Sequence, residues 1–197
     1  MNLLIIYSNH QKENFNWQLL EKIKAKMTEK ECQVVVRDLY ELKFDPVLKP
    51  DDFDKISRGT PPDDIAKEQE FVRWADVLLF IYPVWWGGMP AITKGYIDKV
   101  LSWGFAYKSN GNGIVYPLLN DKKAVVMSSL GQTKDEYEKG MFQAMSRVNS
   151  EGVFGFCGIQ VLEQLFFPSI HTVTPEGKEE YFKTAESLLE KLLVAQD

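Results

Sequence analysis

The most constraining feature of the sequence is an apolar run, Val77 to Ile81, that leads into an aromatic and glycine-rich loop. The run is too short for a soluble helix and is typical of a strand covered on both faces, as in a parallel sheet. After the loop, Pro90 stands where the first turn of a helix accepts proline, and the apolar positions from Ala91 onward recur at helical spacing. A strand, a loop and a helix in this order predict a ligand site at the edge of an open α/β sheet.

Two adjacent tryptophans in that loop need something to cover them. Trp85 and Trp86 carry large apolar rings, which a loop cannot usually bury without help. Gly87 and Gly88 allow the backbone to approach a flat partner closely because they have no side chain. Two interpretations stay open at this point: the loop contacts a planar cofactor or aromatic substrate, or it packs on its own helix or on a second subunit.

Length and charge limit the class of protein. A chain of 197 residues with 45% hydrophobic residues predicts one domain, residues 1–197, with a substantial core. The net charge of −5 and the pI near 5.2 argue against a nucleic-acid partner. Cys32 and Cys157 have no metal-ligand spacing, so we expect buried apolar cysteines and no metal site. No apolar run approaches the roughly 18 residues of a membrane span and no signal-like segment opens the chain, so we expect a cytoplasmic protein without membrane insertion.

Strand and helix patterns alternate along the chain. The predicted strands are Leu3–Tyr7, Gln33–Arg37, Val77–Ile81, Lys123–Ser128 and a fifth within Phe156–Leu162, with a sixth segment after it. Three predicted helices run from about Asn14 to Lys30, from Asp63 to about Trp74 and from Thr174 to about Val194. Two more begin at Ala91 and at Thr133 or Lys134. In the helix that begins at Ala91, the side chains of Lys94, Asp98 and Lys99 are predicted to lie off the apolar face. Residues 41–62 are proline-rich and predict a surface excursion with a short helical turn, and residues 102–121 predict a long loop.

This alternation predicts a three-layer α/β/α sandwich with a five-stranded parallel sheet in the order 2-1-3-4-5. That order brings together the loops that follow strands 1, 3 and 4. They are the loop after Ser8, the Trp85–Trp86 loop and the Ser128–Gly131 loop. The first can present a helix N-terminus to a phosphate, and the others can support a flat ring, so the edge predicts a flavin site.

Several separated motifs resemble one family, the NAD(P)H quinone oxidoreductases of the flavodoxin-like fold. The resemblance covers almost the whole chain. Within the family, the sequence is most similar to short bacterial members, such as potassium-efflux ancillary oxidoreductases and drug-activity modulators. The motifs that carry it are Asn14–Asn16, Asp38–Tyr40, Asp64–Gln69 with Ala75–Asp76, Pro83–Tyr107 and Phe156–Gly158.

The resemblance implies a homodimeric flavoprotein in which NAD(P)H passes hydride to the flavin, leaves, and is followed by a quinone or similar acceptor in the same pocket. Tyr137 matches a tyrosine at the oxygen edge of the flavin and is the implied catalytic residue. The substrate side would be lined by Trp103, Phe105 and Tyr107, in part from a neighbouring subunit. The implied flavin-binding residues are Asn9, Asn14, Phe15, Asn16, Pro83, Val84, Trp85, Trp86, Gly87, Ser128, Ser129, Gly131 and Tyr137.

The chain departs from the mammalian members of the family at three places. Met141 or Phe142 stands near the position of the proton-relay histidine, and neither side chain moves a proton. Asn9 replaces a histidine of the first loop and can still donate a hydrogen bond. The chain ends at Asp197 without the longer mammalian C-terminal region, which favours FMN narrowly over FAD.

Other interpretations concern the partner and the remaining polar residues. The main alternative is a flavin-binding regulatory subunit with low turnover, in which residues 41–62 would contact a transporter domain. A third interpretation, a flavodoxin-type protein that shuttles single electrons, is disfavoured. We expect His10 to be a solvated loop residue and His171 a surface or dimer-contact residue. Lys12 is the single cation of the first loop, so backbone donors are expected to supply most of any phosphate binding.

Overall fold

A computed structural model describes residues 1–194, and residues 195–197, the end of the predicted domain, lie outside the described residues. The strands are β1 Asn2–Tyr7, β2 Gln33–Asp38, β3 Val77–Pro83, β4 Tyr107–Ser109, β5 Val115–Pro117, β6 Lys123–Ser129 and β7 Gln160–Phe167. The helices are α1 Phe15–Glu29, α2 Pro50–Ser57, α3 Asp63–Trp74, α4 Ala91–Val100, α5 Lys134–Tyr137, α6 Met141–Arg147, a π-helix Val148–Phe154, a 3₁₀ turn Gly155–Cys157 and α7 Pro175–Val194.

The main sheet has five parallel strands in the order β2-β1-β3-β6-β7. Counting only the strands of this sheet, the order is 2-1-3-4-5, so the predicted topology is confirmed. In the register of its centre, Ile6 lies beside Phe80, and Phe80 lies beside Val126. All five strands therefore point their carboxyl ends, and the loops that follow them, to one edge of the sheet.

The sheet separates two apolar cores because successive side chains of each strand point to opposite faces. Leu3 and Ile5 of β1 belong to a core with α1 and α7, whereas Leu4 and Ile6 belong to a core with α3 and α4. The central strand β3 is buried along its whole length apart from its last residue, Pro83. Burial on both faces explains why its sequence is a continuous apolar run rather than an alternating one.

The proline-rich excursion is more ordered than predicted, since it contains the two-turn helix α2 and packs closely against α4. A Cβ atom added to Gly95 would lie 2.6 Å from the Cα atom of Pro46 and would also collide with the carbonyl oxygen of that residue. The prediction that Lys99 lies on the polar face of α4 is wrong: Lys99 is 3% exposed, and its Nζ lies 3.4 Å from Asp52 and 3.6 Å from Asp64. The paired carboxylates explain how a lysine can be buried there.

Two further segments differ from the sequence expectations. The predicted long loop at 102–121 contains the antiparallel hairpin of β4 and β5. The fifth strand of the main sheet, β7, begins later than predicted, because Phe156 and Cys157 lie in the 3₁₀ turn. This single strand continues through the segment that was predicted to follow it as a sixth. A left-handed Gly158, with φ of 84°, ends the helical stretch before β7.

Candidate functional site

A cavity of about 600 Å³ lies at the carboxyl edge of the sheet, between the loops that follow β1, β3, β6 and β7. It is the place where the sequence predicted a ligand. Nine of the predicted cofactor residues line it, namely Asn9, Asn14, Phe15, Asn16, Pro83, Val84, Trp85, Ser129 and Gly131. The remaining lining residues are His10, Gln11, Ile170, His171 and Lys178. We call this space the polar cavity.

The N-terminus of α1 opens into the polar cavity. Asn14 caps the helix, because its side-chain oxygen accepts a hydrogen bond of 2.9 Å from the backbone N–H of Trp17. Asn16 stands in the first turn and is 1% exposed, and within residues 1–194 neither atom of its amide group has a hydrogen-bond partner. A buried amide without partners costs free energy. The helix N-terminus, with neutral side chains in its first turn, is suited to an anion.

A histidine and a lysine reach the polar cavity from the far end of the chain. The backbone N–H of Ile170 donates to the carbonyl of Leu130 at 3.0 Å, which fixes the loop after β7 beside the loop after β6. His171 therefore lies next to Gly131, where an added Cβ would be 3.5 Å from the imidazole Cδ2. Lys178 enters from the first turns of α7. These residues were not predicted as ligands, and no local pattern in the sequence marks them.

Lys12 and His10, both in the first loop, have different surroundings. Lys12 Nζ lies 3.0 Å from Glu41, and Lys12 is not among the residues that line the cavity. His10 lines the cavity and lies 6.0 Å from Trp85 and 5.9 Å from Tyr40, measured between ring centroids. Lys178, His10 and His171 thus border this cavity together with the N-terminus of α1, and the expectation that backbone donors supply most of any phosphate binding stays a prediction.

The tryptophan loop is a tight turn held by its own backbone. Trp85 and Gly88 exchange two backbone hydrogen bonds of 3.0 Å. The two residues between them have positive φ, 51° for Trp86 and 71° for Gly87, as in a type I′ turn. This conformation suits glycine and is unfavourable for tryptophan. The Trp86 ring is fully exposed, so the loop does not bury both rings by itself.

A second cavity, of about 310 Å³, lies on the other side of this turn, between it and α6 with the π-helix. Val84 borders both spaces, and the predicted cofactor residue Gly87 lines only this one. We call this space the apolar cavity. Tyr82 lines it too, and burial raises the pKa of its hydroxyl, so this phenol keeps its proton in the ordinary pH range.

The other predicted site residues lie outside both cavities. Ser128 is buried at the end of β6. Tyr137 is half-buried and stacks on Phe142 at 5.4 Å between ring centroids. The predicted substrate residues Trp103 and Phe105 line a separate space of about 110 Å³ beside α3, and Tyr107 packs on Phe156. Within one chain, these three aromatic residues are therefore not brought to the polar cavity.

Comparisons with known proteins identify the family. A family model described as having the flavodoxin-like fold matches residues 1–193. An NAD(P)H oxidoreductase of Haemophilus influenzae, described as uncharacterized, is 34% identical over 99% of this chain and 97% of its own. The NAD(P)H dehydrogenase (quinone) 1 of Cavia porcellus is 32% identical over 96% of this chain and 76% of its own. The chain belongs to the flavodoxin-like NAD(P)H quinone oxidoreductase family.

A solved member of this quinone oxidoreductase family has the same fold. The NAD(P)H:quinone oxidoreductase of Methanothermobacter marburgensis superposes with a TM-score of 0.85 at 27% sequence identity, covering 95% of this chain and 96% of that chain. The resemblance inferred from the sequence motifs is thus confirmed at the level of family and fold. Along the described residues, no helix is both long and apolar enough to cross a membrane.

Proposed function

We propose that this protein is a flavin-dependent NAD(P)H oxidoreductase that transfers two electrons, as hydride, to quinones or similar aromatic acceptors. Hydride would enter from NAD(P)H and leave to the acceptor in two successive half-reactions, a ping-pong scheme. The observation that carries the proposal is the polar cavity, in which a helix N-terminus, the unpartnered amide of Asn16 and Lys178 border one space with the tryptophan loop. Family membership supports the reaction class, and we propose the cytoplasm as the location.

The residues of the polar cavity fit a flavin phosphate ester. The first turn of α1 offers backbone N–H groups, and Asn16 offers an amide that has no partner within the described chain. Lys178 and His171 add cationic or donor groups on the opposite wall. A phosphate would satisfy these groups together. FMN is favoured narrowly over FAD, and the bound nucleotide can be identified by extraction and mass measurement.

A bound flavin supplies the ring that accepts hydride from NAD(P)H and passes it to the acceptor. The protein positions that ring with the turn at Trp85 to Gly88, whose backbone can approach a flat partner closely. Ser129 and Gly131 border the same space from the end of β6. Hydrogen-bond donors fixed before binding stabilise developing negative charge without reorganisation, which is how a protein tunes a redox ring.

Proton handling is assigned to Tyr137. Met141 and Phe142 hold no exchangeable side-chain proton, so the phenol of Tyr137, which stacks on Phe142, is the proposed donor at the oxygen edge of the ring. Tyr137 is outside the lining of the polar cavity and ends the short helix α5, which follows Gly131 along the chain. The role of Tyr137 is therefore testable separately from binding.

We further propose a homodimer whose subunits complete the substrate side of each other's site. Trp103, Phe105 and Tyr107 lie away from the polar cavity of their own chain, and Trp103 is exposed. An exposed aromatic ring of this kind is suited to an interface. Sedimentation equilibrium would show a monomer if this proposal is wrong.

The function is tested by the spectrum and reactivity of the purified protein. We expect a yellow protein, or uptake of FMN by the colourless form, followed by bleaching with NADPH and reoxidation by a quinone faster than the free-flavin control. A protein that stays colourless and takes up neither FMN nor FAD would end the proposal.

A second candidate is a flavin-binding subunit of a transporter with low turnover. The observation in its favour is the excursion at 41–62, where the side chains of Val47 and Phe53 are exposed. Bleaching no faster than free flavin, together with tight binding to a transporter domain, would favour this subunit. Rapid multiple turnover by the isolated protein would favour the enzyme.

A further inference from the structure

The apolar cavity has features of a built binding site rather than a packing defect. Its lining includes three methionines, Met89, Met141 and Met145, together with Val153 and Phe166. Methionine side chains are flexible and polarisable and adapt to ligands of varied shape. A mostly apolar cavity with a few polar groups is the usual composition of a small-molecule site, and 310 Å³ falls at the lower end of the usual volume range of roughly 300–1,000 Å³.

Two local features of the backbone create this space. Gly87 and Gly88 form one wall without side chains, and a Cβ atom on Gly87 would lie only 2.9 Å from the Cε atom of Met141, another lining residue. The opposite wall belongs to the π-helix Val148–Phe154, of which Val148, Asn149 and Val153 face the cavity. A π-helix is uncommon and is found frequently at functional sites.

Three polar groups of the lining, Tyr82, Lys94 and Asn149, already have hydrogen-bond or ion-pair partners. The side-chain nitrogen of Asn149 donates to the Tyr82 hydroxyl at 3.3 Å and to the Gln164 side-chain oxygen at 2.9 Å. Lys94 Nζ lies 2.5 Å from Asp98 on the next turn of α4. The cavity therefore offers no uncompensated charge among the described residues, in contrast to the polar cavity, which Lys178 borders. A neutral ligand fits this lining, because an ion would lose its hydration without gaining a partner.

We propose that the apolar cavity is a second ligand site, which binds a neutral aromatic molecule of one or two rings independently of the polar cavity. The size follows from the volume: an apolar protein cavity of roughly 150 Å³ accommodates benzene, and this one is about 310 Å³. Independence is expected from the lining, since Val84 is the one residue among positions 1–194 that borders both spaces. The cavity shares Gly87 and Gly88 with the turn proposed to position the flavin ring, but binding of a ligand there does not require the proposed reaction.

Five of the six methionines of the chain provide the test. Met89, Met141 and Met145 line the cavity, whereas Met27 and Met127 are buried in the core on the other face of the sheet. In protein labelled with ¹³C at the methionine methyl groups, 1-naphthol at neutral pH is expected to shift the three lining signals saturably. The two core signals serve as internal controls. Absence of shifts at the solubility limit of the probe, or equal shifts of all signals, would overturn the proposal.

The same titration is repeated with saturating FMN. Unchanged affinity for 1-naphthol is expected, because the two ligands occupy different spaces. Displacement of 1-naphthol by FMN would make the apolar cavity part of the flavin site and would overturn the proposal. Failure of FMN to bind would contradict the proposed function and leave the naphthol result without FMN valid.

A matched pair of variants on α6 locates the bound probe. Ala144 is an exposed lining residue, and Gln143 is its exposed neighbour outside the lining. Ala144→Phe is expected to fill the cavity and weaken 1-naphthol binding at least tenfold, whereas Gln143→Phe adds the same ring elsewhere and is expected to leave binding unchanged. Equal binding by the two variants would place the probe outside the cavity and refute the assignment.

Discussion

Replacing Asn16 by leucine tests whether this asparagine serves ligand binding or the stability of the fold. Asn16 is 1% exposed, and within residues 1–194 neither of its amide atoms is hydrogen bonded. A buried polar group without a partner costs roughly 1–3 kcal/mol, and an apolar group of similar shape removes that cost. In protein freed of cofactor, Asn16→Leu is therefore expected to raise the free energy of unfolding by about 1–3 kcal/mol.

Cofactor binding should change in the opposite direction. A hydrogen bond from the Asn16 amide to a charged phosphate contributes about 1.5–3 kcal/mol. Its loss corresponds to a decrease in FMN affinity of roughly ten- to a hundred-fold. Urea unfolding of the cofactor-free protein measures the first effect, and quenching of flavin fluorescence on titration with protein measures the second.

Asn14 provides the control from the same turn. Its side-chain oxygen accepts the backbone N–H of Trp17, so Asn14→Ala removes a helix cap and is expected to lower stability by about 1 kcal/mol. The two asparagines should thus differ in the sign of their effect on stability. If Asn16→Leu destabilised the cofactor-free protein, or left FMN affinity unchanged, the reasoning about its unpartnered amide would be refuted.

Three further predictions test packing and chemistry. Gly95→Ala is expected to lower the free energy of unfolding by about 2 kcal/mol or more, because its Cβ would collide with the backbone at Pro46. Gly152→Ala, which has open space around its Cβ, is the control. Equal urea unfolding curves for the two variants would contradict the close packing at Gly95. Burial raises the pKa of the Cys157 thiol to about 11, so its thiolate is scarce at pH 8 and iodoacetamide should label it only after unfolding; rapid labelling of folded protein would refute this. Tyr137→Phe should slow flavin reduction by NADPH while FMN affinity stays nearly unchanged, and an unaltered rate would remove Tyr137 from the proton path.

The sequence predicted those parts of the fold that have strong local signals. The apolar run from Val77 to Ile81 specified a buried strand, and the proline and acid at the start of α7 marked that helix. The hairpin of β4 and β5 was missed because its three-residue strands are mostly exposed and show no alternation. Lys99 was placed wrongly because residue type indicates polarity, whereas its burial depends on distant carboxylates at Asp52 and Asp64.

The site was predictable to the extent that strand order determines it. Parallel strands in a given order bring their loops to one edge, which is why the strand order alone predicts that residues as distant as Asn16 and Gly131 lie together. His171 and Lys178 were missed for a related reason. They follow an edge strand, β7, whose bounds differ from those of the predicted fifth strand, and the loop that carries His171 is held by a backbone hydrogen bond between Ile170 and Leu130.

We propose from the conformation of Trp86 that its ring contacts a partner outside the chain, either a bound flavin or a second subunit. A positive φ of 51° costs a non-glycine residue roughly 1–2 kcal/mol, and the fully exposed ring gains no compensating burial within the described chain. The turn is held by the two hydrogen bonds between Trp85 and Gly88, so the ring is presented before any ligand arrives and little ordering cost remains on binding. Trp86→Ala should therefore leave the unfolding free energy of the cofactor-free protein nearly unchanged and lower FMN affinity by an order of magnitude or more. Unchanged FMN affinity combined with a weakened dimer in sedimentation would instead assign the ring to the subunit interface.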